Sequence, residues 1–200
     1  KLRIPVHNLE GIVCFGYTGA SPALMHLCAE RKVGLSFHTP SGRFLAKVVG
    51  PTSGNVLLRR KQYNTADCDS ESLQYAKSFV FGKVFNCRCV LQRFLRDHGE
   101  KGTFTNMREA VKLLSLQLQK VMNCTNIDTL RGLEGEAARA YYGVFNDLIL
   151  ENREAFYFNG RSRRPPQDLP NAVLSYLYTL LAHECRSALE TVGLDPQVGF

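Results

Sequence analysis

Two groups of side chains are placed where they could do chemistry: a carboxylate among small residues, and a run of guanidiniums in a loop. The first is the phrase Thr129-Leu130-Arg131-Gly132-Leu133-Glu134-Gly135-Glu136-Ala137-Ala138-Arg139. It reads as the start of a helix capped by Thr125 or Asp128 in a Thr-x-x-Asp arrangement. Glu134 falls one turn after Leu130 and one turn before Ala137 and Ala138, an apolar face. A carboxylate turned inward there must be paired or bind a metal. Glu136 points about 200° away by helical geometry and is the solvated partner, so the two do not form a catalytic dyad. Gly132 and Gly135 each cost about 1 kcal/mol against alanine inside a helix. Close helix packing would explain them; so would the need for another chain, a metal or a phosphate to come close beside Glu134.

The second group is Arg161-Ser162-Arg163-Arg164-Pro165-Pro166, three guanidiniums in a loop rich in Gly, Arg and Pro. Arginine can grip phosphate oxygens bidentately, which suits nucleic acid, and a solvated turn has the same composition. Arg59-Arg60-Lys61 carries the same two readings. Other patterns lead nowhere so specific. Cys87-x-Cys89 lacks zinc-finger spacing, and His183-Glu184 could ligate, although a lone His in a helix is more ordinarily a packing residue. Gly50-Pro51-Thr52-Ser53-Gly54 is a turn without the Gly-Lys-Ser/Thr ending of a phosphate loop.

Two kinds of scaffold must position these groups. From Leu2 to Gln62 short apolar runs are cut by Gly and Pro, with strands expected at 11–16, 33–37 and 43–49. Thr39-Pro40-Ser41-Gly42 predicts a hairpin between the last two. One helix interrupts them, Ser21 to Arg31, with Ser21 as cap, Pro22 at its first position, and Leu24, Leu27 and Cys28 on one face. After the stretch from Tyr63 to Asp69 the apolar period lengthens to about 3.6, and helices are expected near 69–97, 106–123, 127–156 and 168–192. The last is capped by Asp168 or Asn171, lines one core side with Leu174, Leu177, Leu181 and Leu189, and ends at Gly193. The expected class is α+β: a small N-terminal mainly-β domain over residues 1–65 and an all-helical domain over residues 66–200.

Composition narrows the function classes. With 44% hydrophobic and 22% charged residues the 200-residue chain can bury a core and is neither disordered nor fibrous. The longest uncharged stretch, the nineteen residues from Gly11 to Ala29, is broken by Gly16, Gly19 and Pro22, so no membrane span is expected. No export signal is read at Lys1-Leu2-Arg3-Ile4-Pro5, and seven irregularly spaced cysteines suit reduced thiols in a cytosol. The net charge of +7 favours a polyanionic partner. It is concentrated in residues 1–67, where nine basic and three acidic side chains leave +6, while 68–200 carry sixteen and fifteen. The lack of an initiator Met and the apolar ending Val198-Gly199-Phe200 lead us to expect a trimmed chain.

Taken in order, these phrases resemble the CRISPR-associated protein one family, the integrase of the CRISPR adaptation module, in its type I-C branch. The N-terminal text Leu2-Arg3-Ile4-Pro5-Val6-His7-Asn8-Leu9-Glu10-Gly11-Ile12-Val13 and Gly34-Leu35-Ser36-Phe37 is similar to the family's strand-rich domain. In the helical half the likeness lies in Arg131-Gly132-Leu133-Glu134-Gly135, in Arg164-Pro165-Pro166-Gln167-Asp168-x-x-Asn171-Ala172-x-Leu174-Ser175, and in Gly193-Leu194-Asp195-Pro196-x-x-Gly199-Phe200. The resemblance implies a Mg²⁺- or Mn²⁺-dependent DNA endonuclease and integrase that inserts captured fragments as spacers in antiviral defence. It implies double-stranded DNA partners (prespacer and CRISPR leader-repeat), a homodimer built through residues 1–65, association with CRISPR-associated protein two, and a prokaryotic cytoplasm. Glu134 matches the family's catalytic, metal-ligating Glu, and Arg131, Arg161 and Asn171 match positions near that site. With Arg163, Arg164, Arg59 and Arg60 they make up the expected DNA-binding set. The family's metal-ligating His and Asp follow the phrase ending at Phe200 and are absent from these residues, so this segment alone is expected to be inactive. The alternative is a noncatalytic basic scaffold that dimerises and holds DNA.

Overall fold

The change of period near residue 60 separates a sheet from a helical assembly in the computed structural model, which describes residues 3–51, 55–100 and 102–200. Leu2, read above as opening the strand-rich text, and Thr52 to Gly54 of the expected turn lie outside the described residues. The architecture is α+β, and strands β1 (Gly11–Phe15), β2 (Gly34–His38) and β3 (Phe44–Val48) form one sheet in that order.

Between β1 and β2 runs helix α1 (Pro22–Arg31), the crossover that lets the two strands pair in parallel, with Gly11 opposite Gly34 and Phe15 opposite His38. Ser21 caps α1, its Oγ accepting from the Leu24 amide at 3.2 Å, and Pro22 sits where a missing N–H costs nothing. Strands β2 and β3 pair antiparallel through the expected turn, where the Thr39 amide donates to the Arg43 carbonyl at 2.8 Å. Gly42 in that turn has φ +84°, the conformation that favours glycine, and a Cβ on it would stand in tight contact, 3.1 Å from the Tyr176 ring.

The chain divides into two compact units, Lys1–Gln62 with Tyr176–Gln197, and Tyr63–Ser175 with Val198–Phe200. The first has a core of Cys28, Val33 and Leu35, with Leu24, Phe37 and Val48 packed around it. This division follows packing rather than chain order, so most of the last helix, which the sequence groups with residues 66–200, belongs with the sheet. In the second unit, α3 (Asp69–His98), α4 (Thr105–Asn123) and α5 (Ile127–Gly143) bury Val84, Leu91, Met107, Leu114, Leu118 and Ala137 in one cluster. Leu73, Ala76, Val121 and Leu130 form another.

Three expectations need correction. A helix, α2 (Val56–Ala66), stands where strand-like text was read up to Gln62. The Asn55 side chain explains it, because its Oδ1 accepts from the amides of Leu57 and Leu58 at 2.9 and 3.3 Å and caps a helix that Val56-Leu57-Leu58 alone does not announce. Helix α5 stops at Gly143 rather than continuing to 156; a 3-10 turn at Phe145–Leu148 follows, and the Asn146 side chain bonds both the amide and the carbonyl of Phe158. Finally, α6 (Leu169–Thr191) does not bury its leucine stripe: Leu177 and Leu181 are 53% and 59% exposed. Its buried residues are Pro170 and Asn171, since hydrogen bonding by Asn171 and Ser175 turns a polar face toward the preceding loop. Among the described residues no helix is long and apolar enough to cross a membrane.

Candidate functional site

Helix α5 is capped by Asn126, whose Oδ1 accepts from the Thr129 amide at 2.8 Å, and not by Thr125 or Asp128. Asparagine closes the same hydrogen bond as Thr or Asp, and the first turn then begins at Ile127. Asp128 instead accepts from Arg131 Nη1 at 3.1 Å on the surface. From this start Leu130 and Ala137 point into the core, which sets the azimuth of Glu134 between them.

Glu134 does not face inward. Its side chain is 37% exposed, at the margin of the apolar face, and Oε1 accepts from Lys83 Nζ of α3 at 2.6 Å. The physical reason is the cost of burying an ion: the helix rotates the carboxylate to the edge, where a lysine and solvent share it. Glu136 is exposed as expected, yet its Oε2 accepts from Nε2 of the buried Gln117 at 2.6 Å. Gln117 Oε1 has no hydrogen-bond partner among the described residues.

Around Glu134 the two glycines open the surface. A Cβ built on Gly132 or Gly135 would meet nothing within 4 Å. Close helix packing among the described residues is therefore not their explanation, and the small residues leave the α5 backbone accessible before and after Glu134 in the chain.

The arginines divide by what they hold. Arg163 and Arg164 are exposed, as is Arg60. Arg59 is half-buried, and its Nε donates to the Gly193 carbonyl at 3.1 Å. Arg161 Nη1 donates to Asn171 Oδ1 at 2.8 Å, to the Ser162 carbonyl at 2.8 Å and to Ser175 Oγ at 3.3 Å. Asn171 is fully buried. The structure thus brings Arg161 and Asn171 together in the loop before α6, and Arg131 and Glu134 lie one turn apart on α5. Asp168 caps α6, accepting from the Asn171 amide at 2.7 Å. That bond, chiefly, holds its carboxyl below the ordinary carboxylate value.

Residues implied as ligands do not complete a set. Among the described residues, no three His, Cys, Asp or Glu side chains are grouped to hold a metal ion. A divalent cation of the magnesium or calcium type wants several oxygen donors, and here Glu134 offers one carboxylate already paired with Lys83, so the residues present do not fit a complete site. His183 is a packing residue, stacked on Phe44 at 4.7 Å between ring centroids and edge-on to His38 at 5.0 Å. Lys83, Asn146 and Gln117 were missed by sequence reasoning. Each acts on a partner 12 to 51 residues away, and no local spacing announces such a contact.

Comparison with known proteins gives this geometry a setting. A family model described as "CRISPR associated protein Cas1" matches residues 1–200. A CRISPR-associated endonuclease Cas1 of Chlorobaculum tepidum is 48% identical over 200 residues, which is all of this chain and 58% of that protein. One of Rhodospirillum rubrum is 48% identical over 204 residues, again 58% of its length. The chain therefore spans less than two thirds of these curated relatives. Among solved structures, a chain of a Cas6-RT-Cas1–Cas2 complex superposes with a TM-score of 0.70 at 25% identity, over 94% of this chain and 20% of that one.

Proposed function

We infer function from the premise that the chain belongs to the Cas1 family of CRISPR-associated proteins. We propose that these residues are part of a divalent-metal-dependent DNA endonuclease and integrase, which inserts captured fragments as new spacers into a CRISPR array. The observation that carries this reading is Glu134, a half-exposed carboxylate between two glycines that leave the backbone open. It contributes one donor to a Mg²⁺ or Mn²⁺ site, and the remaining donors come from outside these 200 residues. The partners are double-stranded DNA, as prespacer and leader-repeat, a second copy of the protein, and Cas2, with which a structural relative is named as complexed. Residues 1–65 serve dimerisation, residues 66–200 carry the catalytic half, and the work is done in a prokaryotic cytoplasm.

This chain's own residues have definable tasks. Lys83 orients the Glu134 carboxylate on α5 through the bond from its Nζ to Oε1. Arg131, Arg163, Arg164 and Arg60 offer guanidiniums to DNA phosphates, and Arg59 adds charge from its bond to Gly193. Arg161 and Asn171 serve DNA binding by holding together the loop that presents Arg163 and Arg164.

Glu134→Ala in the full-length protein tests the reading. Metal-dependent nicking should be abolished while duplex affinity stays within a few fold; surviving nicking would refute the assignment. A second reading is favoured by the lack of three grouped donors among the described residues: this segment by itself is a basic scaffold for dimerisation and DNA. Duplex binding by the 200-residue chain without nicking would fit it.

A further inference from the structure

We propose that Asn171 is a positioning residue whose buried amide fastens the 158–168 loop, so that Arg163 and Arg164 are presented to DNA phosphates in a fixed conformation. The inference rests on the reading that this loop contacts DNA. Asn171 has no exposed surface, and its amide uses every polar position it has. Nδ2 donates to the Gly160 carbonyl and to Asp168 Oδ2, both at 2.8 Å. Oδ1 accepts from Arg161 Nη1 at 2.8 Å and from the Ser162 amide at 3.0 Å. One side chain in the first turn of α6 thus holds the loop backbone at Gly160 and Ser162 and the guanidinium of Arg161 between them.

Further bonds extend the fastening. Ser162 Oγ accepts from the Gln167 amide at 3.0 Å, which closes the segment carrying Arg163 and Arg164 into a small ring. Upstream, Asn146 donates to the Phe158 carbonyl at 3.0 Å and accepts from its amide at 2.8 Å. The buried Phe158 ring packs against Tyr142 and Phe145, with centroids at 5.4 and 4.9 Å. Between these anchors the chain turns at Gly160, with φ +84°. Pro165 and Pro166 then restrict the backbone beyond the two arginines. Arg163 and Arg164 are exposed while the loop on either side of them is tied down. Holding a binding loop in one conformation lowers the ordering cost of association, which is what such a clamp can contribute to a phosphate grip.

A fully buried asparagine with all its bonds spent cannot also touch DNA, and this separates a positioning role from a contact. The test is a double-mutant cycle in the full-length protein on a duplex oligonucleotide, with affinity measured across a salt series. Arg163→Ala with Arg164→Ala should flatten the slope of log K against log salt by about two units. Asn171→Ala should weaken binding by roughly three- to tenfold with the salt slope kept, since no charge is lost, and should do nothing further once both arginines are gone. Gly160→Ala guards against a folding failure of the Asn171 variant: its Cβ meets nothing within 4 Å but sits at positive φ. It should strain the loop and show the same non-additivity. Amide exchange at Ser162 should accelerate in Asn171→Ala. An equal loss of affinity from Asn171→Ala with and without the arginines would overturn the positioning role, as would a loosened loop with unchanged affinity. An unchanged salt slope in the double arginine variant would instead overturn the DNA reading of the loop and, with it, the role assigned to Asn171.

Discussion

Replacing Gly132 and Gly135 of α5 by alanine should stabilise the helical unit and impair the site it carries. Both glycines lie inside Ile127–Gly143, neither has a positive φ, and a Cβ at either meets nothing within 4 Å. No steric term therefore opposes the gain in helix propensity and the loss of unfolded-state freedom, about 0.5–1 kcal/mol per site. The pair should add roughly 1–2 kcal/mol, about a five- to thirtyfold shift in the folding equilibrium. Urea unfolding followed by circular dichroism reads this as a higher midpoint with an unchanged m-value. In the full-length protein the methyl on Gly135 would lie about 100° around the helix from Glu134 and the one on Gly132 about 200°, both on backbone that the glycines leave open. There the double variant should nick DNA more slowly despite being more stable. A lower urea midpoint would show that the space around α5 is not open. A higher midpoint with unimpaired nicking would show that the openness serves no purpose at the site.

The first unit offers two contrasting tests. Arg60→Ala should flatten the salt slope of DNA binding by about one unit without changing stability. Arg59→Ala should also cost roughly 1 kcal/mol of stability, read by urea unfolding, because its Nε donates to the Gly193 carbonyl; identical effects from the two would contradict the structure. At His183, burial first and the neighbouring His38 second hold the imidazole below its ordinary value of 6.5. The unfolded chain then binds the proton more readily than the folded one, so stability is full above about pH 6.5 and falls as the pH drops through that value. Thermal melts between about pH 7.5 and 5 should show the midpoint falling, and His183→Phe should remove part of that dependence. A midpoint that rises on acidification would reverse the sign assigned here.

Local chemistry in the sequence was enough for the hairpin at Thr39 to Gly42, the Ser21-Pro22 start of α1 and the end of α6 at Gly193, because each depends on residues within one turn of itself. Helix α2 was hidden because Val56-Leu57-Leu58 suits a strand as well as a helix, and only the Asn55 cap decides between them. The overlong α5 has the same origin: apolar residues continue past Gly143 at helical spacing, and the bonds that redirect the chain reach from Asn146 to Phe158. At the candidate site, Glu134 was identifiable from its setting among small residues, but its azimuth was not. A fraction of a turn separates an inward carboxylate from one at the rim, and its partner there, Lys83, lies 51 positions away. Asn171 shows the same limit from the other side. The resemblance placed it in the DNA-binding set, whereas the loop folds over it and encloses it.

The most direct measurement is a Mn²⁺ titration followed by electron paramagnetic resonance on three samples: the full-length protein, its Glu134→Gln variant and the 200-residue chain. The full-length protein should bind the ion tightly, the variant should lose that affinity at least tenfold, and the 200-residue chain should bind weakly whether or not Glu134 is replaced. Equal Mn²⁺ affinity in the full-length protein and its Glu134→Gln variant would contradict the place given to Glu134. Tight, Glu134-dependent binding by the 200-residue chain would contradict the conclusion that its donor set is incomplete.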